Sequence, residues 1–141
     1  MKKNTIYNSR PENISFTHVL VIDDNKDITE MLEDFFKSED IECKVINDGL
    51  IGLDEIRKVK GVYDIILLDL TMPDFSGWDV FKKIKEENLL KSENIIIFTA
   101  STKTNNEINQ MMDEGAKYIL RKPFSLDELI KVIGKFKNNI D

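Results

Sequence analysis

Ile65-Ile66-Leu67-Leu68-Asp69-Leu70-Thr71-Met72-Pro73-Asp74-Phe75-Ser76-Gly77 is the stretch on which the fold turns. It opens with four consecutive branched apolar residues, which read as a strand covered on both faces, as in the centre of a parallel sheet. The run ends on an acid and passes into a loop rich in turn-forming residues. Three more runs repeat the pattern on either side. Val19-Leu20-Val21-Ile22 runs into Asp23-Asp24, and Ile95-Ile96-Ile97-Phe98 runs into Thr99. Tyr118-Ile119-Leu120 leads through Arg121 to Lys122-Pro123. In an open parallel sheet, ligands bind just outside the carboxyl ends of the strands. Three carboxylates, a hydroxyl and an ammonium are therefore expected at one edge.

Helical patterns separate these runs. After Asp24-Asn25, apolar residues at Ile28, Met31, Leu32, Phe35 and Phe36 follow helical spacing. Ile41 to Ile46 alternates apolar and polar, as expected of an edge strand with one wet face. A second helix follows Asp48-Gly49 and uses Leu50, Leu53 and Ile56, and a third carries Trp78, Phe81 and Ile84. The fourth, near 104–114, has a thin stripe of Ile108, Met111 and Met112 and stops at Gly115, a suitable C-terminal cap. Ser125, with Glu128 three residues on, starts the fifth as a capping box, followed by the stripe Leu126, Leu129, Ile130 and Ile133. The expected class is α/β, a doubly wound five-stranded parallel sheet with helices on both faces. Strand order 2-1-3-4-5 would set the alternating strand on an edge. Residues 1–16 are polar and patternless and read as a flexible N-terminal arm before one domain at 17–139.

Bulk properties narrow the function. With 141 residues, 41% of them hydrophobic and 33% charged, the chain can bury a core of its own. A formal net charge of −6 argues against direct nucleic acid binding. Lys131, Lys135 and Lys137 read as a solvated helix face. The single cysteine, Cys43, leaves no disulfide framework, suits a reducing compartment and reads as a small core residue of a strand. One histidine, His18, leaves no paired-histidine metal site. No apolar stretch approaches a membrane span, and the first residues lack the apolar core of a secretory signal, so a cytoplasmic location is expected.

Asp69 carries the chemical argument. A carboxylate at the end of an Ile/Leu run is costly to bury without a compensating cation. Asp23 and Asp24, at the end of a neighbouring strand, would help to hold one, and hard oxygen donors suit Mg²⁺. Asp69 could then attack a phosphoryl group as a carboxylate nucleophile, with Lys122 and Thr99 holding the transferring oxygens. Taken singly, an Asp pair before a helix also reads as a cap, and a lysine before proline as a surface residue.

Ile22-Asp23-Asp24-Asn25, Leu68-Asp69 through Gly77, Phe98-Thr99-Ala100 and Lys122-Pro123-Phe124 together resemble the receiver domains of two-component response regulators, over about residues 17–139. The resemblance implies a CheY-like, flavodoxin-like fold and a stand-alone Mg²⁺-dependent switch, not a turnover enzyme. It implies Asp69 as phosphoacceptor and Asp24 as a direct metal ligand, with Asp23 acting largely through water. Asp69 and the Thr71 backbone carbonyl would complete the protein's ligands. Lys122 would pair with phosphoryl oxygens, Thr99 would hydrogen-bond one of them, and the Lys122-Pro123 bond would be cis. Thr71 and Ser101 stand where the family tunes acyl-phosphate lifetime. The implied partners are a sensor histidine kinase or phosphotransfer protein and a downstream protein target, with the receiver a monomer or a weak phosphorylation-dependent dimer. One position departs from the pattern. Ile119 stands where receivers often carry the aromatic half of the Thr99 switch, and Tyr118 is one residue too early, on the opposite face of its strand.

Three other readings stay open on the residues alone. An aspartyl-nucleophile phosphatase of the haloacid dehalogenase type needs a second Asp where Thr71 stands. A flavodoxin-like cofactor binder would meet Asp23-Asp24 where it needs phosphate-binding amides. A receiver serving only as an unphosphorylated interaction module would look the same in sequence.

Overall fold

Each apolar run forms a strand, and the helical stretches fill the intervals between them. The computed structural model describes residues 17–100 and 105–137. The expected N-terminal arm and Ser101 lie outside the described residues. In chain order the elements are β1 His18–Ile22, α1 Lys26–Ser38, β2 Glu42–Ile46, α2 Gly49–Lys58, β3 Ile65–Leu68 and α3 Gly77–Glu86. They continue with β4 Ile95–Thr99, α4 Asn105–Glu114, β5 Tyr118–Arg121 and α5 Leu126–Lys137. All strand pairs are parallel, and the sheet runs β2-β1-β3-β4-β5, with the alternating strand on an edge as its pattern requires.

The two-residue period of the strands divides the core into two layers. Leu20, Ile22, Ile66, Leu68, Ile95 and Ile97 face one side, where Leu53, Ile56, Val80, Phe81, Ile84 and Met111 from α2, α3 and α4 cover them. Val19, Val21, Ile65, Leu67, Ile96 and Phe98 face the other, under Leu32 and Phe36 of α1 and Leu129, Val132, Ile133 and Phe136 of α5. Such strands are apolar throughout because neither face is wet. Among the described residues no helix is long and apolar enough to cross a membrane.

Three stripe residues turn outward: Met31 is 46% exposed, Leu50 50% and Leu126 39%. For Leu50 the cause lies in two glycines. Helix α2 packs against the β3–α3 loop through Gly49 and against the sheet through Gly52, where an added Cβ would fall 2.1 Å from the Phe75 carbonyl oxygen and 2.7 Å from Ile22. Its contact face therefore runs through Gly49, Gly52, Leu53 and Ile56 and leaves Leu50 outside. In α1 the buried face is Thr29, Leu32 and Phe36, so Met31 lies beyond it. Leu126 opens its helix, and burial begins one turn later at Leu129. Cys43 is half-buried rather than a full core residue, because β2 has only one neighbouring strand. Burial, and then the Glu33 charge, push its thiol up to about 12, which keeps it protonated and inert.

Candidate functional site

The carboxyl ends of β1, β3, β4 and β5 bring Asp23, Asp69, Thr99 and Lys122 to one edge of the sheet. Asp23 and Thr99 are fully buried, and Asp69 is 4% exposed. Asp24 is exposed. One oxygen from each of Asp23, Asp24 and Asp69 lies within 4.8 Å of the other two. The Lys122 ammonium sits 2.7 Å from Asp23 Oδ2 and 3.8 Å from Asp69 Oδ1, reaching the acids from across the sheet. Asp23, Asp24, Asp69 and Lys122 thus come together, with the Thr71 amide beside Asp69 and the Thr99 backbone tied to Lys122.

Local structure fixes each one. The Asp23 amide donates to the Ile46 carbonyl at 3.1 Å and the Asp69 amide to the Ile22 carbonyl at 3.0 Å, continuing the sheet ladder one residue past the strands. Asp23 Oδ1 accepts the Asn25 amide at 2.9 Å, and the Asn25 side chain caps α1 by accepting from the Asp27 and Ile28 amides. Asp69 Oδ1 accepts the Thr71 amide at 3.3 Å. Behind Asp69, Gly77 starts α3 hard against the acid's own backbone. A Cβ there would fall 2.0 Å from the Asp69 carbonyl oxygen, so only glycine lets the loop and helix close. Lys122 donates its amide to the Thr99 carbonyl at 2.9 Å, and the Lys122-Pro123 peptide is cis, as the resemblance implied.

Sequence reasoning passed over Asn47, and named Phe98 and Phe124 only as members of the family motifs, with no role of their own. Asn47 Nδ2 donates to the Asp23 carbonyl at 2.8 Å and to Thr29 Oγ1 at 3.0 Å, tying the β2–α2 loop to the acid pair. Phe98 lies with its ring centre 4.4 Å from the Lys122 ammonium. The Asp-Gly turn after β2 was the available pointer to Asn47. Phe98 gave no signal, since it reads as one more core residue of its strand.

At position 119 the side chain is half-buried and packs into the α2, α3 and α4 layer, while Tyr118 packs into the α1 and α5 layer. The Lys135 ammonium lies 5.5 Å from the Tyr118 ring centre. The two residues occupy opposite faces, so Tyr118 does not substitute for the aromatic that Ile119 replaces.

The electrostatics are those of a site short of positive charge. Burial first, and then the Asp23 carboxylate, push the Asp69 carboxyl up to about 7, while Lys122 and the Thr71 amide pull it down. Among the described residues, the Lys122 ammonium is shared by two buried acids. The donors at hand are all hard oxygens with one exposed arm, a set that suits a divalent cation of the Mg²⁺ kind and offers no soft ligand for a zinc-like ion. Such a cation would reverse the upward push on Asp69.

Comparison with known proteins agrees with the fold. The family described as the response regulator receiver domain matches residues 19–134. The transcriptional regulatory protein DltR of Streptococcus agalactiae is 35% identical over 112 residues, covering 79% of this chain and 48% of that protein. The chain thus spans about half the length of the curated relatives it matches. The receiver domain of the Francisella response regulator 1452 superposes with a TM-score of 0.77 at 31% identity, covering 89% of this chain and 99% of the other. CheY4 of Vibrio cholerae shares the fold, with a TM-score of 0.74 at 24% identity, over 86% of this chain and 99% of the other.

Proposed function

This chain belongs to the response regulator receiver domain family, and on that basis we propose that it is a Mg²⁺-dependent, reversibly phosphorylated switch with Asp69 as its phosphoacceptor. One observation carries the reading: Asp69 is buried at the end of a central strand, beside two further acids and 3.8 Å from an ammonium.

The proposed donor is a phosphohistidine on a sensor histidine kinase or a phosphotransfer protein. An Asp69 carboxylate oxygen attacks phosphorus, and an acyl phosphate forms as the phosphorus–nitrogen bond breaks. The histidine leaves with the bonding pair and takes a proton from water. Lys122 moves toward the incoming phosphoryl oxygens, and the Thr99 hydroxyl holds another. Asp24 and Asp69 would bind the metal directly, with the Thr71 carbonyl, and Asp23 would act mainly through water. When bound, the ion supplies positive charge opposite the transferring oxygens.

Switching is proposed to run through Thr99 and α4 without an aromatic rotamer change, since Ile119 has no ring to move. Output passes to a downstream protein or onward as a relayed phosphoryl group. Intact-mass spectrometry with Mg²⁺ and acetyl phosphate tests the reading. The wild type should gain one phosphoryl group, and Asp69→Asn, or added EDTA, should prevent the gain. Uptake by Asp69→Asn as fast as by the wild type would refute Asp69 as acceptor.

A further inference from the structure

Lys122 has a third neighbour besides the two acids, and it is not polar. The ring centre of Phe98 lies 4.4 Å from the ammonium, within cation–π range. Phe98 is fully buried and occupies the β4 position just before Thr99. Its ring is held in turn by Phe124, two residues beyond Lys122, at 5.2 Å between centres and an interplanar angle of 70°. In that edge-to-face arrangement the two quadrupoles attract and the ring orientation is fixed. The aromatic pair thus flanks Thr99 and Lys122 in sequence, with Phe98 against the ammonium and Phe124 against Phe98.

A π face holds a cation differently from a carboxylate. Its attraction is broad across the ring, whereas a hydrogen bond to Asp23 at 2.7 Å is directional. For transfer, Lys122 must leave Asp23 and reach oxygens arriving at Asp69. Moving off Asp23 gives up a short charged contact in a largely buried setting, while the Asp69 oxygen at 3.8 Å is still beyond hydrogen-bond distance. A ring beneath it supplies a contact that persists along the path.

We propose that Phe98 is a positioning residue for phosphoryl transfer: its ring carries the Lys122 ammonium between Asp23 and the phosphoryl group on Asp69. The inference rests on the receiver reading and adds a residue to that site. It makes the electrostatic character of the ring, and not only its volume, set the rate.

The test replaces Phe98 with monofluoro- and then pentafluorophenylalanine, which weaken and then reverse the quadrupole at nearly constant shape, and with Leu as a third variant. Two quantities are read: the rate of phosphoryl uptake from acetyl phosphate in saturating Mg²⁺, and the Lys122 ε-methylene proton shifts in resting, metal-free protein. Expected is a graded slowing, reaching about threefold to tenfold in the pentafluoro and Leu variants. In the wild type the ε-methylene protons should lie upfield of those of exposed lysines, moved there by the ring current, and should return in Phe98→Leu. Thermal unfolding checks that the fluorinated proteins remain folded. Equal rates across the fluorinated series, or ordinary lysine shifts in the wild type, would overturn the proposal. A wild type that takes up no phosphoryl group would instead sink the receiver reading, with the lysine shifts still deciding whether the ring holds the ammonium.

Discussion

Near the start of the strands, the buried acids Glu93 and Glu55 keep donors of their own; at the end of a central strand, Asp69 must share its cation with Asp23. Glu93, two residues before β4, accepts the Gly61 amide and the Ser92 hydroxyl, each at 2.9 Å. Glu55 of α2 accepts the hydroxyl of Tyr63, just before β3, at 2.5 Å and faces Lys44 of β2 at 3.2 Å. The Tyr63 hydrogen bond above all, with Lys44, holds the Glu55 carboxyl below the usual range despite its burial. At the other edge Asp69 accepts one long amide bond, shares Lys122 with Asp23 and is pushed up to about 7. A buried acid with its own donors is part of the scaffold. One left short of donors beside two more acids is arranged for a cation that comes from outside.

That contrast can be broken by substitution. Lys122→Met should have the largest effect, because it removes the ammonium that both Asp23 and Asp69 face. Metal-free protein should lose about 3 kcal/mol of unfolding free energy at pH 8, read by urea denaturation, and phosphoryl uptake should fall sharply. Next, Asp69→Asn should stabilise the metal-free protein. Folding favours the protonated form of Asp69, so the stability tied to it is present below the ordinary carboxylate range and is lost as pH rises through about 7. The substitution should therefore gain about 2 kcal/mol at pH 8 and almost nothing at pH 4. Equal gains at both pH values would contradict the account. Smallest is Tyr63→Phe at the other end, which should cost about 1 kcal/mol by removing a donor from Glu55. Phosphoryl uptake should not change, which separates scaffold from site.

The two edges were unequally visible in the sequence. Asp23, Asp69, Thr99 and Lys122 were legible because each terminates an apolar run, and strand topology alone gathers such termini on one edge. Glu55, Tyr63 and Glu93 were not, since their partnerships join residues from separate segments and follow no local period. The same holds for the Phe98–Lys122 contact, which only the β4–β5 pairing creates. Helix stripes were half legible. Spacing marked Leu53 and Ile56 but not the close approach through Gly49 and Gly52 that leaves Leu50 outside. The cis peptide came from the family resemblance and from nothing local.

A Mg²⁺ titration of thermal stability tests the central claim most directly, with metal-free wild type and Asp24→Asn compared at pH 8. Asp24 is exposed, so its substitution should leave the fold intact. The account predicts a saturable rise in the wild-type unfolding temperature, with Asp24→Asn needing about tenfold more Mg²⁺ for the same rise. No rise with Mg²⁺, or the same dependence in both proteins, would contradict a cation site at the carboxyl edge of the sheet.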